Sequence, residues 1–286
     1  MSVQITTAFV EQYKANVLHL AQQKGSRLRD AVRTETVTGK SHFFERIGST
    51  AAQKRTSRHS DTPRMDTPHS RRKVSMDDYD WADLIDNEDK VRLLISPQSE
   101  YAMAGAWAMG RAMDDAIIAA ATGTAYSGVA GGTSVSLPSG QKVAHASGGL
   151  TVTKLISAKE VLDAADVDPD EPRFLVCAAG QLADLLAITQ VTSADYNSVK
   201  ALVSGQIDTF LGFKFIRSQR LGQDSTPSRQ CLAFAKSAIG LAVGADITTK
   251  ISERADKNYA TQVFLSMTIG ATRIEEEKMV EIAANE

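Results

Sequence analysis

Two cysteines in 286 residues leave little material for a disulfide framework or a thiolate metal site. Cys177 and Cys231 each lie in an apolar run, RFLVCAA and RQCLAFA, and are expected to be buried free thiols. The five histidines (His19, His42, His59, His69, His145) are scattered, and neither cysteine has a Cys or His at ligand spacing, so no metal is expected. Long apolar runs are missing too: nothing approaches the ~20 residues of a membrane span. The N-terminal MSVQITTAFVEQYK lacks the basic flank and apolar stretch of a signal peptide. These absences describe a soluble protein that meets no membrane and stays where it is made.

Catalytic motifs are absent as well. The chain contains no Gly-x-Ser-x-Gly elbow, no Gly-x-Gly-x-x-Gly after a strand, no His-Glu-x-x-His and no Cys-x-x-Cys. GVAGG is not a phosphate loop, because no Gly-Lys-Ser/Thr follows it. Glu275 to Glu277 read as an exposed turn or strand end. Asp114 and Asp115, adjacent on a helix, face different sides and do not form a catalytic pair. No enzyme, catalytic residue or cofactor is expected. A net charge of -2 gives no global attraction to nucleic acid, so any electrostatic message must be local.

What is present is a strong helix signal. In SPQSEYAMAGAWAMGRAMDDAIIAAATG, residues 96 to 123, Ser96 is a good N-cap and Pro97 suits the first helical position. Glu100 adds favourable negative charge to the first turn, and Gly123 closes the far end. The 26 residues between are rich in Ala and Met, which predicts a rod of ~39 Å. Its small residues, among them Gly105 and Gly110, predict another element packed closely along it. Residues 8 to 24 predict an amphipathic helix through Phe9, Tyr13, Val17 and Leu20. SRLRDAVRTETVTGKSHFF reads as extended. Residues 124 to 150 read as a Gly- and Ser-rich loop holding one hairpin.

The second half reads as α/β. A helix is predicted over 154 to 167, a buried strand at RFLVCAA, short helices at GQLADLLAI and YNSVKALV, and a strand at FLGFKFIRS. YATQVFLSMTIGATRI and KMVEIAA read as long strands paired with each other in a meander.

Two charged blocks lie side by side. QKRTSRHSDTPRMDTPHSRRK, residues 53 to 73, carries seven Lys or Arg, and its only large apolar side chain is Met65. The following MDDYDWADLIDNEDK carries Asp77, Asp78, Asp80, Asp83, Asp86, Glu88 and Asp89 against a single Lys90. Trp81, Leu84 and Ile85 are expected to anchor this acidic block to something apolar. The basic segment suits a nucleic-acid arm, a disordered linker or a structured arm reaching onto a neighbour. The acidic block would repel the phosphates that such a nucleic-acid arm would seek.

The element order, with DLIDNEDKVRLLISPQSEYAMAGAWAMGRAMDDAIIAAATG running into the rod and AFAKSAIGLAVGADITTKISERADKNYATQVFLSMTIGATRIEEEKMVEIA at the end, resembles the major capsid protein of tailed bacteriophages, the Hong Kong 97 fold. Its "Gly-Ala-x-Arg" is a pattern this family often shows. The resemblance implies an α+β fold: an N-terminal arm with helix (1–38), an extended β loop (39–80), and a peripheral domain (81–169) with spine helix 96–123. An α/β axial domain (170–230) and closing strands shared by both domains (231–286) complete it. It implies self-assembly into hexamers and pentamers of an icosahedral shell enclosing double-stranded DNA, with a portal and a separate scaffolding protein as partners. The location implied is the virion, after assembly in the host bacterial cytoplasm.

On this reading the loop residues Phe43, Phe44, Arg46, Lys54, Arg55, Arg58, Arg64, Arg71, Arg72 and Lys73 meet a neighbouring subunit. The acidic residues from Asp77 to Asp89 supply the opposing surface. Lys54 and Lys73 lie where some members cross-link a Lys to an Asn, but no matching Asn or activating acid is found. An encapsulin-like nanocompartment shares the fold, and a nucleic-acid-binding protein using residues 53–73 is the alternative of a different class.

Overall fold

The computed structural model describes residues 21–58, 61–62, 64–86, 97–145, 148–188, 209–224 and 228–286. In chain order the strands are β1 (Arg33–Thr36), β2 (Ser41–Ile47), β3 (His69–Ser75), β4 (Asp77–Ile85), β5 (Ala125–Ser127), β6 (Thr133–Val135), β7 (Lys142–Val143) and β8 (Arg173–Cys177). They continue as β9 (Thr209–Phe210), β10 (Phe213–Arg217), β11 (Ser228–Ala235), β12 (Ile239–Arg254), β13 (Ala260–Arg273) and β14 (Met279–Asn285). The helices are α1 (Pro97–Thr122), α2 (Val152–Ala164) and α3 (Ala179–Ala187). The predicted helix over residues 8 to 24 lies outside the described residues up to position 20, and 21–24 are not helical. Ser96 and the YNSVKALV segment also fall outside them.

The rod predicted from the Ala-rich segment is α1, 26 residues long, and the Gly123 amide donates to the Ala119 carbonyl at its end. Its small residues serve close packing on two sides. A Cβ on Gly105 would lie 2.6 Å from the Trp81 ring and 2.8 Å from Leu265, so β4 and β13 press directly on the helix there. A Cβ on Gly110 would lie 2.4 Å from the Gly25 carbonyl carbon, so the arm leading to β1 crosses the helix at that point. Five residues along a helix amount to ~500°, which puts these contacts on nearly opposite faces. The helix is therefore the middle of three layers: sheet, rod, arm.

Three sheets surround this axis. The first runs β1-β12-β13-β4, with β1 parallel to β12 and the other pairs antiparallel. Val263, Leu265, Met267 and Ile269 alternate into the core along β13. The second sheet has six strands in the order β7-β14-β11-β8-β10-β9, and every residue of its strand β8 is buried. The third joins β2 and β3 to the short hairpin β5-β6, in the order β2-β3-β5-β6. One apolar cluster runs continuously from α1 and the first sheet into the six-stranded sheet, α2 and α3.

One pairing predicted from the pattern is wrong. β13 pairs with β12 and β4, whereas β14 pairs with β11 and β7 in the other sheet. The turn between β13 and β14 carries the chain across: the Ile274 amide donates to the Ala238 carbonyl at 2.7 Å, and the Ala235 amide to the Lys278 carbonyl at 3.1 Å. Cys177 and Cys231 are buried free thiols. Burial pushes the Cys177 thiol up to about 11 and raises that of Cys231 as well.

Candidate assembly surface

The feature most exposed to a partner is the β2–β3 hairpin. Its strands pair from Ser41 with Ser75 to Ile47 with His69. Beyond that register every described residue from Ile47 to Pro68 is exposed. The composition explains this: residues 48 to 68 offer Pro, Ser, Thr and charge, and Met65 as the only large apolar side chain, too little to bury a core. Lys54, Arg58 and Arg64 stand in solvent. The Arg55 guanidinium folds back on the Ser57 carbonyl at 2.8 Å and on the Arg58 carbonyl.

The base of the hairpin behaves oppositely. Phe44, only 2 % exposed, joins Val37, Val74, Ala242 and Ile274 in a second, small core. Arg72, 3 % exposed, forms an ion pair with Glu276 and donates Nε to the Ile274 carbonyl at 3.2 Å. Arg46 donates to the same carbonyl at 2.8 Å and approaches Glu276 at 3.5 Å. The carboxylate between two guanidiniums locks the hairpin to the turn after β13. Phe44 and Arg72 were expected to meet a neighbouring subunit; burial within their own chain removes both from that set, and Arg46 is largely committed as well. Arg71 pairs with Glu45 at 3.1 Å and stacks over the Phe43 ring at 5.2 Å. Lys73 is half-buried against Gly131.

Residues 77 to 85 of the acidic block form strand β4. In β4 the odd positions Tyr79, Trp81, Asp83 and Ile85 are half-buried or buried on the α1 side. Asp78 and Asp80 face away, and the Thr268 hydroxyl donates to Asp78 at 2.6 Å. Asp77 is exposed and Asp86 is half-buried at the strand end. Leu84 was expected to help anchor the block, but alternation turns it outward. Glu88 and Asp89 lie outside the described residues.

Three buried polar anchors escaped the sequence reading. Asp114, with no exposed surface, accepts hydrogen bonds from the Ser26 hydroxyl at 2.6 Å and from the Arg27 and Leu28 amides at 3.1 Å. Its neighbour Asp115 pairs instead with Arg220. Arg273, the arginine of Gly-Ala-x-Arg, is fully buried; its guanidinium donates to the Ala121 and Gly123 carbonyls at 2.8 Å and to Val135 at 2.9 Å. It satisfies orphan carbonyls at the negative end of α1 and ties that end to β6. Burial lowers its pKa from the ordinary value, yet an arginine stays charged. Lys154 donates to the His145, Gly148, Gly149 and Ala283 carbonyls at 2.7 to 3.0 Å, pinning the Gly-rich connection to β14. Each was visible as a charge inside an apolar or Gly-rich run, but its partners lie far off in sequence. Among the described residues no cluster of three or more His, Cys, Asp or Glu stands ready to hold a metal.

The family described as phage capsid protein matches residues 5–286 of this chain. No curated protein matches it. Among solved structures, the capsid of cyanophage P-SCSP1u is 20% identical with a TM-score of 0.74, over 99% of this chain and 95% of that one. Mycobacterium phage Che8 gives 16% identity and a TM-score of 0.70, over 96% and 97% of the two chains. The capsid of Ralstonia phage GP4 gives 10% and 0.70, over 96% and 95%. At these identities the likeness establishes the fold.

Proposed function

The chain belongs to the phage capsid protein family, and on that footing we propose that it builds an icosahedral head shell of hexamers and pentamers around the double-stranded DNA of a tailed phage. It is a major capsid protein, and its place is the capsid of the virion. It works by self-association and not by catalysis. A portal at one vertex and a separate scaffolding protein are the further partners of this reading, and the host cytoplasm is where assembly occurs.

The observation that carries the proposal is the contrast along the hairpin. Its base is fastened by Phe44 and the Arg46–Glu276–Arg72 group, while every described residue from Ile47 to Pro68 is exposed. A strand pair held this firmly at one end and bare at the other suits a neighbouring subunit. Lys54, Arg55, Arg58 and Arg64 are the cations offered, and Asp77, Asp78 and Asp80 are acceptors on a second copy. Exposed pairs contribute only ~0–1 kcal/mol each, so closure rests on many repeated contacts and is salt-sensitive.

Electron microscopy of the purified protein tests the shell; a monodisperse monomer or dimer refutes it. Nucleic acid within the particles distinguishes a phage capsid from a cargo-holding compartment. Deleting residues 55 to 71 should leave folded subunits that do not close stable shells. Shells of normal stability would refute the role given to the hairpin.

A further inference from the structure

Trp107, Arg111 and Asp115 recur at four-residue intervals on α1 and form one stripe along the rod. Each is met by a cation or by the arm. Lys24 Nζ lies 5.4 Å from the centre of the Trp107 ring. Arg111 donates to the Gln23 carbonyl at 3.1 Å and to the Gln22 side chain at 3.0 Å. Arg220, from the segment after β10, forms a two-pronged pair with Asp115. Arg27 reaches across and donates to the Arg217 carbonyl at 2.6 Å, joining the arm to that segment.

Lys24, Arg27, Arg111 and Arg220 therefore share one face, and the Arg217 carbonyl fastens Arg27 there. Among the described residues only Arg220 has a carboxylate partner, and Asp114 beneath them is fully buried and occupied by the arm's amides and hydroxyl. The face keeps a surplus of positive charge. The opposite side of the same three layers is the far face of the first sheet, where β4 turns Asp78 and Asp80 outward. A subunit in a single-layer shell has one side in and one side out; among the described residues the far face sets Lys250 beside Asp78 and Asp80, so the surplus of cations belongs to the arm-and-helix side.

Resting on the capsid reading, we propose that this arm-and-helix face points into the shell and takes the phosphates of the packaged duplex, while the basic hairpin does not. Guanidinium forks and an ammonium fit phosphate oxygens without regard to base sequence. Among the described residues this surface presents charge and no element shaped to enter a groove, as suits a genome packed without register.

The test measures anisotropy of a short fluorescein-labelled duplex with the full-length subunit across roughly 50 to 200 mM salt. Replacing Lys24, Arg27 and Arg111 together with Gln should lower the salt slope by about 2.7, at ~0.9 per phosphate contact, so that wild type loses about 40-fold more affinity across that range than the variant does. Lys24→Gln alone, which removes no hydrogen bond that holds the arm, should lower it by ~0.9 and serves if the triple variant does not fold. Gln at Lys54, Arg55, Arg58 and Arg64 should leave the slope unchanged. An unchanged slope in the first two variants, or a fall only in the hairpin variant, overturns the proposal. So does loss of shells with unaltered duplex binding, which would mean that this face meets another copy or a scaffold. If wild-type protein forms no particles the capsid reading fails; if it forms them and the slope does not move, only this inference fails.

Discussion

Replacing Asp114 with Ala should release the arm from the spine helix. The carboxylate is fully buried and accepts from the Ser26 hydroxyl and from two backbone amides. A hydrogen bond to a charged acceptor contributes ~1.5–3 kcal/mol, and a buried amide left without a partner costs ~1–3 kcal/mol. The Leu28 amide is buried, whereas the Ser26 hydroxyl and the Arg27 amide are part-buried and regain some water. A total of about 3–5 kcal/mol follows, a large share of a typical ~5–15 kcal/mol. Asp114→Asn keeps the oxygen that serves Ser26, Arg27 and Leu28, and should cost about 1–2 kcal/mol. Native-state amide exchange separates local from global loss. In the Ala variant the Arg27 and Leu28 amides should exchange far faster, while those of β13 stay protected. If Asp114→Ala loses less than ~1 kcal/mol and both amides remain as protected as in wild type, the account of Asp114 as the arm's anchor is wrong.

Glu276→Gln preserves shape but strips the counter-charge from buried Arg72 and half-buried Arg46, which should cost about 3–5 kcal/mol by denaturant unfolding and speed exchange in β2 and β3; unaltered exchange there would contradict the lock. The Cys177 thiol, pushed up to about 11 by burial, stays neutral at pH 8, so a thiol reagent should label it only on unfolding. Rapid labelling of native protein would count against that burial. Asp246 is held below the ordinary carboxylate pKa, chiefly by its hydrogen bond from Arg29. Its contribution is complete above the ordinary value and fades as pH falls through the depressed one; being half exposed, the pair adds less than ~1 kcal/mol. Arg29→Gln should return the Asp246 titration, followed by NMR, to the ordinary range.

The spine helix was legible because its signals are local: a Pro at the first position, an Ala- and Met-rich interior and a Gly stop act within a few residues of one another. Strands β8, β10, β13 and β14 were legible for the same reason, since a buried apolar run or an alternation with period two belongs to a single segment. Their partners were not. YATQVFLSMTIGATRI and KMVEIAA both read as strands, and nothing in either states that the turn between them leaves one sheet for another. The hairpin was recognisable as a projecting loop from its want of apolar residues. Which of its residues turn inward depended on the small core that Val37, Ala242 and Ile274 build beneath Phe44.

The sequence by itself determined the helical rod, the solvated basic segment, the buried cysteines and the order of elements that matches a capsid subunit. Composition and short-range periodicity act on each stretch independently of the rest. Tertiary structure alone decided the work of Asp114, Arg273 and Glu276, and turned two adjacent aspartates to unrelated partners. A buried charge is stable only where donors or acceptors converge on it. For Asp114 and Arg273 those groups come from segments 86 to 152 residues away; such a meeting exists only once the chain has folded.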